Sequence, residues 1–287
     1  MKTIIYFLLL CITISLQAQD QKLENTLLWK ISGNDLKQPS YLYGTIHITC
    51  DATLSPKIIK ALDETSQLYL ELDMDDPNMQ MDMMKGIMMK DGITIKSLLS
   101  EEEYNLVNSF IKEELGMSLD MMNTMKPFLV GSMFYMKMLD CPMQSFEEEL
   151  MKVSKAQDEE IYGLETVDEQ LAVFDAIPYK LQAKDLVRSA KDKLTYDKEY
   201  FQKMLDLYSK EDLNALMLMM DDDTFESTAN FNDELVVKRN KNWISKIERI
   251  SKEEPTFFGV GAGHLGGKEG VIILLRQEGY KLTPILN

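Results

Sequence analysis

Histidine occurs twice in 287 residues, and each copy closes a Gly-x-x-His tetrad that follows a strand-like run. The first is Tyr41-Leu42-Tyr43-Gly44-Thr45-Ile46-His47; the second is Phe257-Phe258-Gly259-Val260-Gly261-Ala262-Gly263-His264. Aromatic and β-branched residues favour extended backbone. A glycine at the end of a strand lets the chain turn sharply and approach another group closely. After each tetrad come a loop, a helix-like segment and another apolar run. Two such strand–loop–helix–strand units near opposite ends of a chain favour an α/β sheet. If the units lie side by side, His47 and His264 share the crevice at the carboxyl ends of the strands, where open α/β sheets keep their sites.

The rest of the pattern fits a central mixed β-sheet with a large helical middle. A strand is expected over 26–31, with the Ser32-Gly33-Asn34-Asp35 cluster turning the chain back into the strand before His47. Ser55-Pro56 marks a helix start. Residues 67–73 alternate Leu68, Leu70 and Leu72 with Tyr69, Glu71 and Asp73, so a strand ends at an acidic group. Parallel geometry would set that end beside the strand carrying His47. From about 77 to 250 the periodicity is helical, with helices expected over 128–139, 146–156, 179–208, 211–220 and 233–250. Ser100-Glu101-Glu102-Glu103 is a capping box and Gly116 its stop. A short strand over 160–164 interrupts this region and delivers Glu165 just before a helix capped by Thr166. The final helix is expected over 267–277 and the last strand over 280–285. A single domain over 19–287 follows.

Residues 1–18 read as a signal peptide: Lys2, an apolar run over 4–14 and a cleavage site near Ala18. Export to a periplasmic or extracellular space follows, with no membrane span in the mature chain, because that run is shorter than the ~20 residues a span needs. A formal charge of −16 excludes nucleic acid as a partner, since phosphates would be repelled. Cys50 and Cys141 remain after cleavage. They form one disulfide or stay as two thiols, since spacing alone does not decide. The methionines at 79–89 and 117–125 read as helix-forming, deformable core filler lining a binding cleft, rather than as a thioether copper site.

Two imidazoles, with Glu71 and Glu165 at strand ends, make a candidate reactive centre. Imidazole is a metal ligand or a general base near neutral pH. A carboxylate binds metal, orients a histidine or activates water. Arg239, on a helix with Asn240 and Trp243, is suited to hold a carboxylate or, with Asn240, an oxyanion.

Taken in order, the first tetrad, Glu71-Leu72-Asp73, Gly163-Leu164-Glu165-Thr166, Arg239-Asn240-x-x-Trp243, the second tetrad with Leu265, and Gly270-Val271 to Gly279-Tyr280 resemble the TraB/GumN family, which includes the Tiki proteases. Its fold is similar to that of erythromycin esterases and ChaN-like haem-binding proteins. The resemblance implies a hydrolase, a metal-dependent peptidase of the Tiki kind, with His47 and His264 catalytic and Glu71, Glu165, Arg239 and Asn240 assisting. In that reading His47, His264 and Glu71 hold a divalent ion. Two histidines with oxygen ligands suit Mn²⁺ or Co²⁺ better than Zn²⁺, for which no His-Glu-x-x-His or cysteine cluster is present. Two alternatives remain: a metal-free hydrolase in which Glu71 orients His47 as base, and a haem or metal-ligand binder without turnover. The substrate is a peptide or small molecule, and the sequence leaves the oligomeric state open.

Overall fold

A computed structural model describes residues 22–221, 225, 227–228 and 230–286. The expected signal peptide lies outside the described residues. Six strands form one sheet: β1 (Leu28–Gly33), β2 (Ser40–Thr45), β3 (Gln67–Leu70), β4 (Glu160–Gly163), β5 (Phe257–Gly261) and β6 (Tyr280–Pro284), in the order β4-β3-β5-β2-β1-β6. The strands from β4 to β2 run parallel, and β1 is antiparallel to both β2 and β6. The sheet is therefore mixed, as the sequence implies, and the two tetrad-bearing strands are neighbours. Thr45 pairs with Gly261, so both tetrads leave the sheet at the same edge.

Every residue of β2 is buried, consistent with a central strand covered on both faces. Leu42, Leu68, Phe257, Phe258 and Val260 join Trp29, Leu62, Leu150, Trp243 and Ile247 in the sheet's core. The strand ending at Glu71 lies beside β5 and not beside β2, so Glu71 approaches the second tetrad first. Its regular pairing stops at Leu70; beyond it, Glu71 and Leu72 are both buried, which breaks the alternation read from the sequence.

The helical middle has a core of its own, built from Ile95, Val107, Phe110, Ile111, Leu119, Val130, Ala183 and Leu186 among others. The helix Glu101–Leu115 begins at the Ser100 capping box and ends at Gly116 in the left-handed region, as expected. The helix expected over 179–208 is two helices, Tyr179–Asp192 and Thr195–Ser209, broken where Lys193 and Leu194 turn left-handed at φ 55° and 60°. The break has a packing reason. Leu194 seals the helical core, whereas Tyr208, at the far end of the second helix, packs in the core of the sheet. One straight helix could not serve both. The helix expected over 128–139 likewise breaks, into Pro127–Ser132 and Tyr135–Met138, with the intervening Phe134 buried against Phe110.

Cys50 and Cys141 form a disulfide, with their Cα atoms 5.6 Å apart. The methionine clusters are divided: Met89 and Met122 fill the helical core, while Met81, Met84 and Met121 face solvent. The methionines that flank the second tetrad are others, Met217 and Met220, which pack onto Gly266 and Gly263. No described helix is long and apolar enough to cross a membrane.

Candidate active site

The tetrad glycines explain how the two histidines come together. A Cβ on Gly44 would meet Leu265 Cδ1 at 2.7 Å and Ala262 Cα at 3.1 Å, so only glycine lets the second tetrad's turn lie against β2. A Cβ on Gly261 would sit 3.2 Å from Glu71 Oε1, 3.6 Å from His264 Cδ2 and 3.9 Å from His47 Nε2. The missing methyl at Gly261 thus leaves a gap onto which both imidazoles and one carboxylate converge. Gly44 thus makes room for the turn that carries the second histidine, and Gly261 for the groups that face it.

Arg239 lies at the centre of the acidic side. Nε donates to both oxygens of Glu165 (3.1 and 3.2 Å), and Nη2 to Glu165 Oε1 (2.6 Å) and Glu71 Oε2 (2.5 Å). Nη1 donates to the Leu235 carbonyl at 3.1 Å and to His264 Nε2 at 3.0 Å. All five guanidinium N–H bonds are therefore engaged. Glu71 also accepts from the Gly261 amide (2.7 Å) and Gln170 Nε2 (3.2 Å), and Glu165 from Trp243 Nε1 (3.2 Å). Burial would raise the pKa of Glu71, but the charge of His264, protonated in the acid range where Glu71 titrates, then those of Arg239 and His47 and the Gly261 N–H outweigh it and hold the pKa at about 2. Burial wins at Glu165, whose pKa is raised despite Arg239, with the charge of Glu71 adding to the rise.

His264 is 6% exposed. Because Arg239 donates to its Nε2, the ring proton sits on Nδ1 and is donated to Asn240 Oδ1 at 2.7 Å. Asn240 Nδ2 in turn donates to the carbonyls of His264 (3.3 Å) and Glu269 (2.8 Å), so its amide is spent on holding this loop. Trp243 packs on the ring at 4.6 Å between centroids. Burial carries the pKa of His264 down to about 4 against the pull of Glu71; it is a neutral imidazole at pH 7.

His47 differs at every point. Its side chain is 65% exposed, and its Nδ1–H donates to Glu147 Oε1 at 2.8 Å, leaving Nε2 toward the Gly261 gap. Partial desolvation by the neighbouring protein would lower its pKa. The hydrogen bond and charge of Glu147, with the charge of Glu71, outweigh that and raise it to about 9. Glu147 is buried, and Ser145 Oγ donates to its second oxygen at 2.6 Å. The sequence reading assigned Glu71 as the orienting partner of His47, but the structure gives that place to Glu147. Ser145-Phe146-Glu147-Glu148-Glu149 reads as an ordinary acidic helix start, and nothing local marks the first glutamate as the buried one. Gln170 was missed in the same way.

A divalent ion held by His47, His264 and Glu71 does not fit this arrangement. The Nε2 lone pair of His264 and Glu71 Oε2 both accept from the guanidinium of Arg239, so a cation is already seated between them. Among the described residues no three His, Cys, Asp or Glu side chains group as metal ligands. A surface depression of about 480 Å³, lined by Pro39, Glu64, Ser66 and Pro255, lies where β2, β3 and β5 begin, at the opposite edge of the sheet.

Tetrads, acidic residues and arginine thus assemble in the order the sequence places them, and residues 27–284 match the model of the TraB/PrgY/gumN family. The chain belongs to the TraB/PrgY/gumN family. Among curated relatives it is similar to Metalloprotease TIKI1 of Danio rerio, at 24% identity over 91% of this chain and 63% of that protein. It is similar also to Metalloprotease TIKI2 of the same fish, at 24% identity over 92% of this chain and 62% of that protein. A Metalloprotease TIKI homolog of Nematostella vectensis is 20% identical over 92% of this chain and 68% of that protein. The chain spans less than two thirds of the length of the two fish proteins.

Proposed function

We propose that this TraB/PrgY/gumN member is an exported hydrolase of peptide-type acyl bonds, with His47 as the group that exchanges protons with water and substrate. The observation that carries this is the His47–Glu147 pair, with Nε2 of the imidazole turned to the gap beside Gly261. Nε2 takes a proton from the attacking water and returns it to the leaving group, while Glu147 fixes the ring and stabilises its charged form. Arg239 locks Glu71, Glu165 and His264 in place, and its engaged N–H groups make it a positioning residue rather than an oxyanion donor. The exposed edge of His47 gives a substrate access, and the names of the relatives support a peptide as that substrate. The Cys50–Cys141 disulfide supports export, since such bonds persist in oxidising compartments. The arginine between Glu71 and His264 favours the metal-free reading over one in which those residues hold Mn²⁺ or Co²⁺.

The deciding experiment is digestion of a quenched-fluorescence peptide library by wild type and His47→Ala, each with EDTA or with added Mn²⁺ or Co²⁺. Cleavage that survives EDTA and disappears in His47→Ala supports the proposal. Cleavage abolished by EDTA and restored by Mn²⁺ assigns the chemistry to a metal, and no cleavage under any condition refutes peptide hydrolysis.

A further inference from the structure

His47 lies on an exposed loop two residues past the end of β2, whereas Glu147 lies on the helix Phe146–Ala156, which Phe146 and Leu150 anchor in the core of the sheet. The two segments are stitched together just beside the pair. Thr49 and Gln144 exchange two backbone hydrogen bonds of 3.0 and 2.9 Å, and Gln144 Oε1 accepts from the Ala52 amide at 3.0 Å. Gln144 is exposed although Thr49 and Ala52 are buried, so water reaches these bonds from one side. The covalent stitch is the disulfide between Cys50, three residues after His47, and Cys141, six residues before Glu147. His264 has no such need, since buried Asn240 and Trp243 and half-buried Arg239 hold it on three sides.

We propose that the Cys50–Cys141 disulfide is a redox-sensitive clamp that holds His47 against Glu147, and that a dithiol reductant switches the site off by opening it. The proposal rests on the reading of His47 as the proton-exchanging group. Cys50 is exposed, so a thiolate can reach the bond. The first thiolate displaces one cysteine and forms a mixed disulfide; the second thiol of the reductant displaces the other. Two electrons pass to the protein, Cys50 and Cys141 end as thiols, and the reductant ends as a disulfide. No covalent tie then joins the loop to the Glu147 helix near the pair; the Gln144 bonds, the packing of Ile46, Ala52 and Leu54 in the sheet's core and the His47–Glu147 contact remain.

The test uses the folded wild-type protein, reduced with a dithiol, checked for two free thiols by alkylation and mass spectrometry, and then reoxidised. Two readouts are taken: turnover of the best-cleaved quenched peptide, and NMR of protein labelled with ¹⁵N at histidine. With two histidines in the chain, each ring gives its own signals, and His264 is an internal control. The expected result is a tenfold or greater fall in kcat on reduction with KM within twofold, regained on reoxidation. The Nδ1–H signal of His47 is lost to exchange in the reduced form while that of His264 stays. Cys50→Ser reproduces the reduced state and no longer responds to dithiol. Full kcat in protein with two free thiols, or an unchanged His47 signal, overturns the clamp. If no peptide is cleaved in either redox state, the hydrolase reading fails, and the His47 signal alone decides the clamp.

Discussion

The two Gly-x-x-His tetrads share a spacing and a strand setting, yet they hold histidine in opposite states. His264 is sealed under Trp243, neutral, and hydrogen-bonded at both ring nitrogens by Asn240 and Arg239. His47 is open to solvent, paired through one nitrogen with a buried glutamate, and has its pKa raised to about 9. The motif sets where an imidazole emerges from the sheet. What that imidazole can do is set by the helix that meets it: Lys238–Glu253 brings an amide and a guanidinium to one, Phe146–Ala156 a carboxylate to the other. Repetition of a motif is therefore weak evidence of equal roles.

The most damaging break in this comparison is Arg239→Met. It leaves Glu71 and Glu165 buried without their cation, and removing one partner of a buried ion pair costs about 3–5 kcal/mol. Urea unfolding should show that loss together with the disappearance of all activity. An unchanged midpoint would mean that the guanidinium is not what balances the carboxylates. Next come the paired substitutions His47→Asn and His264→Asn. The first should lower kcat/KM by about 10²–10⁴-fold, the range for losing a positioned acid–base group, and cost about 1 kcal/mol of stability, because the asparagine amide still offers buried Glu147 a hydrogen bond but no charge. The second should cost about 2–4 kcal/mol through a lost buried hydrogen bond and ring packing. If both variants fall equally in both measurements, the tetrads are equivalent after all.

Glu147→Gln should sharpen the contrast. With His47 acting as base, wild-type kcat/KM rises with pH toward about 9. Removing the carboxylate should move the inflection toward the ordinary histidine value near 6.5, with a lower plateau; a profile that does not move would assign the inflection elsewhere. The smallest effects are on stability against pH, and their signs differ between the tetrads. His264, depressed from 6.5 to about 4, makes the fold less stable as pH falls across that interval, and Glu71, held at about 2, extends the loss further into acid. His47, raised from 6.5 to about 9, stabilises fully below 6.5 and loses its contribution as pH rises to 9. Solvent screening at its open edge makes that decline slight. Thermal midpoints of wild type and each histidine variant across pH 3–10 would separate the two limbs.

Much of this arrangement was legible in the chain. Strand-like runs before each tetrad and the capping boxes at Ser100 and Thr166 are local signals, and each lies where expected, whereas the strand before Glu71 stops at Leu70 and pairs with β5 rather than β2. Glu147 was not legible, because its burial depends on a contact with a loop 100 residues away. Nor was the break at Lys193 and Leu194, where competition between two cores overrides a continuous helical period. Arg239 was recognised as a carboxylate partner, but sequence could not show that one guanidinium would engage two glutamates and an imidazole at once.

The pairing of β2 with β5 has a consequence in time. These strands are neighbours in space although more than 200 residues separate them along the chain. A ribosome that has released β2, β3 and β4 has made a polypeptide with one histidine and no crevice. Long-range pairing of this kind is slow to form, and here it cannot begin until the segment carrying His264 has been synthesised. Any reactivity that depends on both imidazoles is withheld from the nascent chain by the order of translation alone.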